Sequence, residues 1–465
     1  MSSKPAILTI SRARFEALSY AKHPYAEITG REVEWYSDRA ENVLGAVVLD
    51  LIDRDWSWVV LGRDEAGLFR AIDFNVSVPT RIRARKILKD RMRQHSGTGA
   101  PTFPQGDVTR EKNLLFTVRV PEKKLSGHFK ILANTPHHQT ARGIIREIGY
   151  ALADVDGNFV EQFQTSAFNA RLWELFIFAF LHEQRVLLDR DFNRPDFVGT
   201  KFGFDFCLEA ATVNPSAELS EPTPQTPEDV ARLLPDFMPI KFGSPLFSKL
   251  QKLNNRYSAL PHVRDKPFIL AIADFHEESS MTWSSSALTT YLYGKRFTWR
   301  KDAKGKLRVR NIRVREHRWK HKVIPSNFFG QPGSENVSAV LFANSATLSK
   351  FSRMGQLAGF GRKDVRMFRG GTYHDHDPDA PIPKRFYVEV TPKSYAESWT
   401  QGVTLFHNPN ASYRIPPDVF LGVANYFLYK NRVAASFPKF FPYSSQTFIM
   451  RAVKSGGAAK VKPLE

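Results

Sequence analysis

Three carboxylates stand where a folded chain has to account for them. Glu174 lies in Arg171-Leu-Trp-Glu-Leu-Phe-Ile-Phe-Ala-Phe-Leu181, a helix-length stretch that is apolar on nearly every side. A carboxylate there is buried, and a buried charge must be neutralised, paired or set against a cation. Asp196 follows a proline in Asn193-Arg-Pro-Asp-Phe197, and Glu209 comes thirteen residues later among apolar neighbours in Cys207-Leu-Glu-Ala210. A helix, a turn and a strand that each deliver one acid to the edge of a small sheet are the parts of an oxygen-ligand site for Mg²⁺. Such an ion activates a water and stabilises the charge that develops on a scissile phosphate. The structural alternative is that Glu174 pairs with Arg171 or Arg146, Asp196 caps a turn and Glu209 bonds a Lys or Tyr on a neighbouring element.

The elements that must position these acids are legible in periodicity. Ala141–Leu152 and Ala167–Glu183 carry helical patterns, followed by strand-like runs at Arg185–Leu188, Phe204–Ala210 and Phe268–Ala273. Gly243–Tyr257 reads as a later helix bearing Lys249 and Lys252. The N-terminal region is rich in short Val-, Leu- and aromatic-containing runs, at 33–36, 44–51, 56–61 and 114–120, and is expected to be mostly strand. Helices alternating with strands imply an α/β protein. A Pro- and acid-rich stretch, 214–239, reads as an exposed loop or short helix. The expected organisation is multi-domain: a β-rich region at 1–134, a core at 135–290, a basic mixed α+β region at 291–453 and a disordered tail at 454–465.

The order helix Glu, Pro-Asp, then Glu in a hydrophobic strand resembles the PD-(D/E)xK nuclease superfamily, over about 141–273. The blocks Asp156–Gln164, Glu209–Pro215, Ser248–Leu250 and Phe406–Asn410 are similar to those of uncharacterised bacterial members. The resemblance implies a restriction-endonuclease-like core. It makes Glu174 the helix acid, Asp196 and Glu209 the ligands of Mg²⁺ or Mn²⁺, and the carbonyl of Ala210 a further ligand. One element departs from the pattern: the superfamily's Lys, two residues after the strand acid, is Ala211 here. Some members supply that charge from the next helix, which makes Lys249 the favoured substitute and Lys252 the second choice. The implied activity is metal-dependent hydrolysis of DNA or RNA, with DNA the first choice and bacterial defence against foreign nucleic acid a reasonable setting. The alternative is an inactive nucleic-acid-binding or scaffold protein on a degenerate core. A rival acid pair, Asp379 after Pro378 with Glu389, lacks a preceding helix with a buried acid.

Charge points to the same class of partner. The 465 residues carry a formal net charge of +19, and a strongly basic chain has nucleic acid as its default partner. Lys295–Lys322 is the densest basic stretch. Within it Arg308 and Arg310 fall on one strand face and Arg313 and Arg315 on one face, and the two pairs coincide only if a bulge at Asn311 shifts the phase. Trp299 and Trp319 flank this segment, and basic groups with interleaved aromatics neutralise phosphates and stack bases. A second basic segment, 80–93, reads as an amphipathic helix with a cationic outer face. Other chemistries find little support. A single Cys, Cys207, excludes a disulfide framework and reads as core. No phosphate-binding loop or dinucleotide fingerprint occurs, so no nucleotide cofactor is expected. Tyr373-His-Asp-His-Asp377 reads as a polar turn. No stretch has the length and apolarity of a signal peptide or a membrane span, so a cytoplasmic location without membrane contact is expected.

Overall fold

The computed structural model describes residues 5–107, 111–362, 364–453 and 460–463. It has mixed α and β content in several sheets. The chain divides into two compact units: one comprises 1–168 and 351–365, the other 169–350 and 366–465. None of the described helices is long and apolar enough to cross a membrane.

The first unit is built on an antiparallel meander of β1 (Ile7–Thr9), β2 (Gly30–Asp38), β3 (Val43–Asp50), β4 (Trp56–Arg63) and β5 (Phe69–Val78). Alternating apolar residues give the sheet two buried faces. The helix Arg81–Gly97 covers one face with Ala84, Leu88 and Met92. It lies so close that a Cβ on Gly45 would meet the Met92 sulfur at 2.5 Å. The outer basic residues of this helix are partly engaged. Arg81 and Arg85 both bond the buried Glu34, and these bonds, Arg85 foremost, hold its carboxyl at about 2. The helix Arg12–Leu18 packs Phe15 and Leu18 on the other face.

Two expectations for this region need correction. Residues 114–120 form no strand, because their backbone groups are satisfied by one side chain. The amide of Gln164 donates to Leu115 O and Thr117 O at 3.0 and 2.8 Å and accepts from the Arg119 N–H at 2.9 Å. The helix Gln139–Ala151 belongs with the first unit, where Glu147 takes a two-pronged pair from Arg63 at 2.9 and 3.0 Å.

The second unit is organised by an eight-stranded mixed sheet. Its first half is the meander β6 (Leu187–Asp189), β7 (Phe197–Lys201) and β8 (Phe204–Val213), continued by β9 (Phe268–Asp274) parallel to β8. Two short hairpins follow, β10 (Lys295–Lys301) with β11 (Leu307–Arg313) and β12 (Glu316–Trp319) with β13 (Lys322–Pro325). The large sheet then resumes with β14 (Ala339–Ala343) parallel to β9. A second sheet contains β15 (Val365–Tyr373) and β16 (Lys384–Glu389). The large sheet ends with β17 (Val403–His407), β18 (Ala424–Tyr429) and β19 (Arg432–Ser436), and the second is completed by β20 (Pro442–Val453) and β21 (Lys460–Pro463). The large sheet therefore runs across residue 290, and the expected boundaries at 134 and 290 do not coincide with the division of the chain. Of the tail expected to be disordered, 454–459 and 464–465 lie outside the described residues, whereas 460–463 pair with β20.

Helices pack against the faces of the large sheet. Phe168–Glu183 sends the Trp173 indole N–H to Ala271 O at 3.1 Å. Phe237–Lys252 shares a core with Cys207, Ala211, Val213, Leu270 and Ile272, which occupy alternate positions on one face of β8 and β9. Cys207 is fully buried and its thiol is pushed up to about 12 by that burial, as a packing residue should be.

Candidate functional site

The chain between Asp196 and Glu209 is a hairpin whose turn sets the register. Phe202 and Gly203 both adopt positive φ, +49° and +80°, the conformation of a two-residue turn that matches the twist of the flanking strands. Lys201 then pairs with Phe204 and Phe197 with Leu208. Continuing that register by one residue sets Asp196 opposite Glu209, so the thirteen-residue spacing makes the two acids cross-strand neighbours. Reciprocal hydrogen bonds fix them. The Ala210 N–H donates to Asp196 Oδ2 at 2.7 Å, and the Asp196 N–H donates to Glu209 Oε2 at 3.3 Å. His262 braces the approach to this pair: its Nε2 lies 2.8 Å from Arg194 O and its ring stacks on Phe192 at 3.8 Å.

Glu209 shares the face of β8 that turns to the helix Phe237–Lys252, and two ammonium groups from that helix meet it. Lys249 Nζ lies 2.7 Å and Lys252 Nζ 3.0 Å from Glu209 Oε1. The Tyr257 hydroxyl donates to the same oxygen at 3.4 Å. Glu174 sits one helical turn from Arg171, whose Nη1 lies 2.7 Å from its Oε2. The Ala211 side chain, where the superfamily's Lys is expected, is only 5% exposed and packs in the hydrophobic core. The cations that meet Glu209 come instead from the following helix.

The charges act on one another. Burial pushes the Glu174 carboxyl up, Arg171 and Lys249 oppose this, and Glu209 adds to it. Asp196 is raised to about 7, first by loss of hydration and then by the charges of Glu209 and Glu174, with Lys249 and the Ala210 N–H working the other way. Burial lowers the Lys252 ammonium, but its bond to Tyr257 and the charge of Glu209 outweigh this and raise it overall. Glu174 and Glu209 thus each have a bonded cation. Among the described residues Asp196 has none within 4 Å, and its carboxylate accepts only the Ala210 N–H.

Glu174, Asp196, Glu209, Lys249 and Lys252 are therefore brought into one electrostatic group. The oxygen donors of Asp196 and Glu209 are the hard ligands that suit Mg²⁺ or Mn²⁺, and the uncompensated Asp196 is where such an ion would relieve repulsion. Among the described residues no group of three His, Cys, Asp or Glu side chains is arranged to hold a metal by itself, so a cation here would have to rely on the two carboxylates with main-chain or solvent oxygens.

Tyr257 is the member that sequence reasoning missed. In a continuous α-helix 249, 252 and 256 share a face. A π-turn over Leu253–Tyr257 inserts one residue into the phase, so 257 takes the place of 256.

The basic segment is less unified than its composition suggests. The β10–β11 ladder is unbroken, with Arg308 opposite Arg300, Arg310 opposite Thr298 and Arg313 opposite Lys295. No bulge occurs at Asn311, so Arg308 and Arg310 share one face with Arg296 and Arg300, while Arg313 falls on the other with Phe297 and Trp299. Arg315 is exposed in the connection that follows β11. Arg308 pairs with Asp302 at 2.8 Å. Trp299 is 54% exposed, as a stacking residue requires. Trp319 is not: it is partly buried against the core, donates to Glu221 at 3.1 Å and packs on Phe237. The attraction of its large apolar face to that core takes it away from any ligand.

The other constellations are structural. In Tyr373–Asp377, His374 bonds the Tyr443 hydroxyl and stacks on Phe437, His376 bonds Lys439 O, and Asp375 pairs with Lys384. The rival acids are spent separately, Asp379 on the Leu307 N–H and Glu389 on Arg366. No family model, curated protein or solved structure matches the chain.

Proposed function

We propose that the chain is a metal-dependent nuclease that hydrolyses phosphodiester bonds of nucleic acid, DNA in the first instance, on a PD-(D/E)xK-like core. The observation that carries this reading is the cluster at the β7–β8 edge, in which two acids have bonded cations and the third, Asp196, has none. The order of elements supports it: a helix with Glu174, the β6–β7–β8 meander with Asp196 and Glu209, a helix with Lys249 and Lys252, then β9 parallel to β8.

In this reading Asp196 and Glu209 hold a Mg²⁺ or Mn²⁺ ion, which supplies Lewis acidity to a phosphoryl oxygen and to the attacking water. Glu174 completes the acidic edge and keeps Arg171 in place. Lys249 orients the water or a phosphate oxygen, and Lys252, tied to Tyr257, keeps the Glu209 carboxylate fixed. The exposed arginines of the β10–β11 hairpin bind the substrate backbone away from the chemistry. The experiment is incubation with labelled single- and double-stranded DNA and RNA, in Mg²⁺, Mn²⁺ or chelator, for the wild type and for Asp196→Ala and Glu209→Ala. Metal-dependent cleavage lost in both variants is expected. Cleavage by none, or by all equally, defeats the proposal.

A second reading is favoured by a specific observation: both ammonium groups bond the same Glu209 oxygen, as in a purely structural ion pair. The chain would then be an inactive nucleic-acid-binding scaffold, with binding retained and cleavage absent under every metal.

A further inference from the structure

The sheet of β15, β16, β20 and β21 has one closed face and one open face. On the closed side Met367 and Arg369 are fully buried, with Arg369 set over the Phe386 ring. On the open side Phe368 and Tyr387 stack nearly parallel, 5.6 Å apart with planes at 10°, and Phe448 stands 6.2 Å from Tyr387. Tyr387 is 61% and Phe448 43% exposed. Between them Gly370 leaves the floor open, since a Cβ there would lie 3.0 Å from Tyr387 and 3.6 Å from Phe448. Tyr387, Phe448 and Gly370 line a groove of about 670 Å³ that also includes Arg385, a volume within the range of small-molecule sites. The neighbouring cations are spent, Arg366 on Glu389 and Lys384 on Asp375. Among the described residues Arg385 has no carboxylate partner.

We infer that this groove binds unpaired bases of a single-stranded nucleic acid, with the exposed faces of Tyr387 and Phe448 as stacking platforms and Arg385 on the backbone phosphate. Exposed rings on a sheet with a free cation at one end suit a ligand that alternates planar apolar faces with negative charge. A duplex does not offer this, because pairing and stacking hide its base faces. The inference rests on the nucleic-acid reading above and adds that the substrate contains, or is held by, a single-stranded stretch.

The test is binding of a fluorescent twelve-nucleotide oligo-dT and of a duplex of equal length, in chelator so that no cleavage intervenes. Variants are Tyr387→Ala, Tyr387→Leu, Phe448→Ala and Gly370→Val, each checked for wild-type melting temperature. Tyr387→Leu keeps the bulk while removing the aromatic face, and Gly370→Val retains both rings while filling the floor between them, against which its side chain packs. The expected result is tighter binding of the single strand by the wild type, weakened about tenfold by each ring substitution and also by Gly370→Val, with duplex binding unchanged. Wild-type affinity for oligo-dT in the folded variants, or no affinity for oligo-dT in the wild type, overturns the inference. Its failure is separable from that of the nuclease reading: the groove is judged by binding without metal, and the nuclease by cleavage with it.

Discussion

Asp196 stands directly opposite Glu209 across the β7–β8 ladder, and each is bonded to the other's strand, at 2.7 and 3.3 Å. Like charges in that relationship are destabilising. Burial first, and then this repulsion, raises the Asp196 carboxyl from 3.8 to about 7, above its value in the unfolded chain. The folded protein therefore holds a proton that the unfolded chain releases, and stability falls as pH rises through that window.

Asp196→Asn removes the repulsion and retains an oxygen for the Ala210 N–H. In chelator this variant melts several degrees above the wild type at pH 8, and the difference shrinks towards zero as pH falls to about 4. Added Mg²⁺ raises the melting temperature of the wild type and not of the variant. Thermal scans at the two pH values, with and without metal, check both statements.

Lys249 and Lys252 differ in exposure, with side chains 26% and 40% exposed, and Lys249 bonds Glu209 while also opposing the upward shifts of Glu174 and Asp196. Lys249→Ala is expected to lower kcat by about 10²–10³-fold, the cost of removing one preorganised charge stabiliser. Lys252→Ala costs about tenfold or less and acts through Glu209, so Tyr257→Phe mimics it in direction. Single-turnover cleavage at saturating metal separates the two lysines.

The β10–β11 hairpin offers Arg300 and Arg310 on one exposed face. Replacing both with Ala weakens binding to long DNA and reduces the slope of log K against log salt by about 2, near one unit per lost phosphate contact. Trp319→Ala alters no salt slope and lowers stability instead, because that ring packs on Phe237.

Glu34 gives the first unit a pH signature. Its carboxyl is held at about 2, chiefly by Arg85 and against the effect of burial, well below its usual 4.5. A depressed carboxylate stabilises the fold above 4.5 and loses that contribution as pH falls towards 2. Glu34→Gln lowers stability by about 1–3 kcal/mol at pH 7, and the difference from wild type disappears near pH 2. Denaturant titrations at the two pH values test this.

Much of the candidate site was readable because its elements are local. The apolar helix around Glu174, the strand around Glu209 and the basic positions of the following helix each announce themselves in periodicity, and the turn at Phe202-Gly203 converts a linear spacing into opposition across a ladder. What escaped depends on tertiary context. Tyr257 joins the site through a π-turn that no propensity marks. Residues 114–120 have the composition of a strand but are satisfied by the Gln164 amide. Trp319 was read from its basic neighbours, yet an indole beside an unfilled core edge packs there. β14, β17 and β18 extend the central sheet by long-range pairing, which short apolar runs do not reveal, and the aromatic groove is assembled from three separate strands.

The central claim is that the Asp196–Glu209 edge is a metal-dependent hydrolytic site. The most direct measurement is cleavage of labelled DNA by the wild type and by Asp196→Asn, at pH 8 with Mg²⁺, Mn²⁺ or chelator. Cleavage that needs the divalent ion and falls at least 10²-fold in the variant is the predicted result. Cleavage that survives the chelator, or that Asp196→Asn leaves intact, would contradict it.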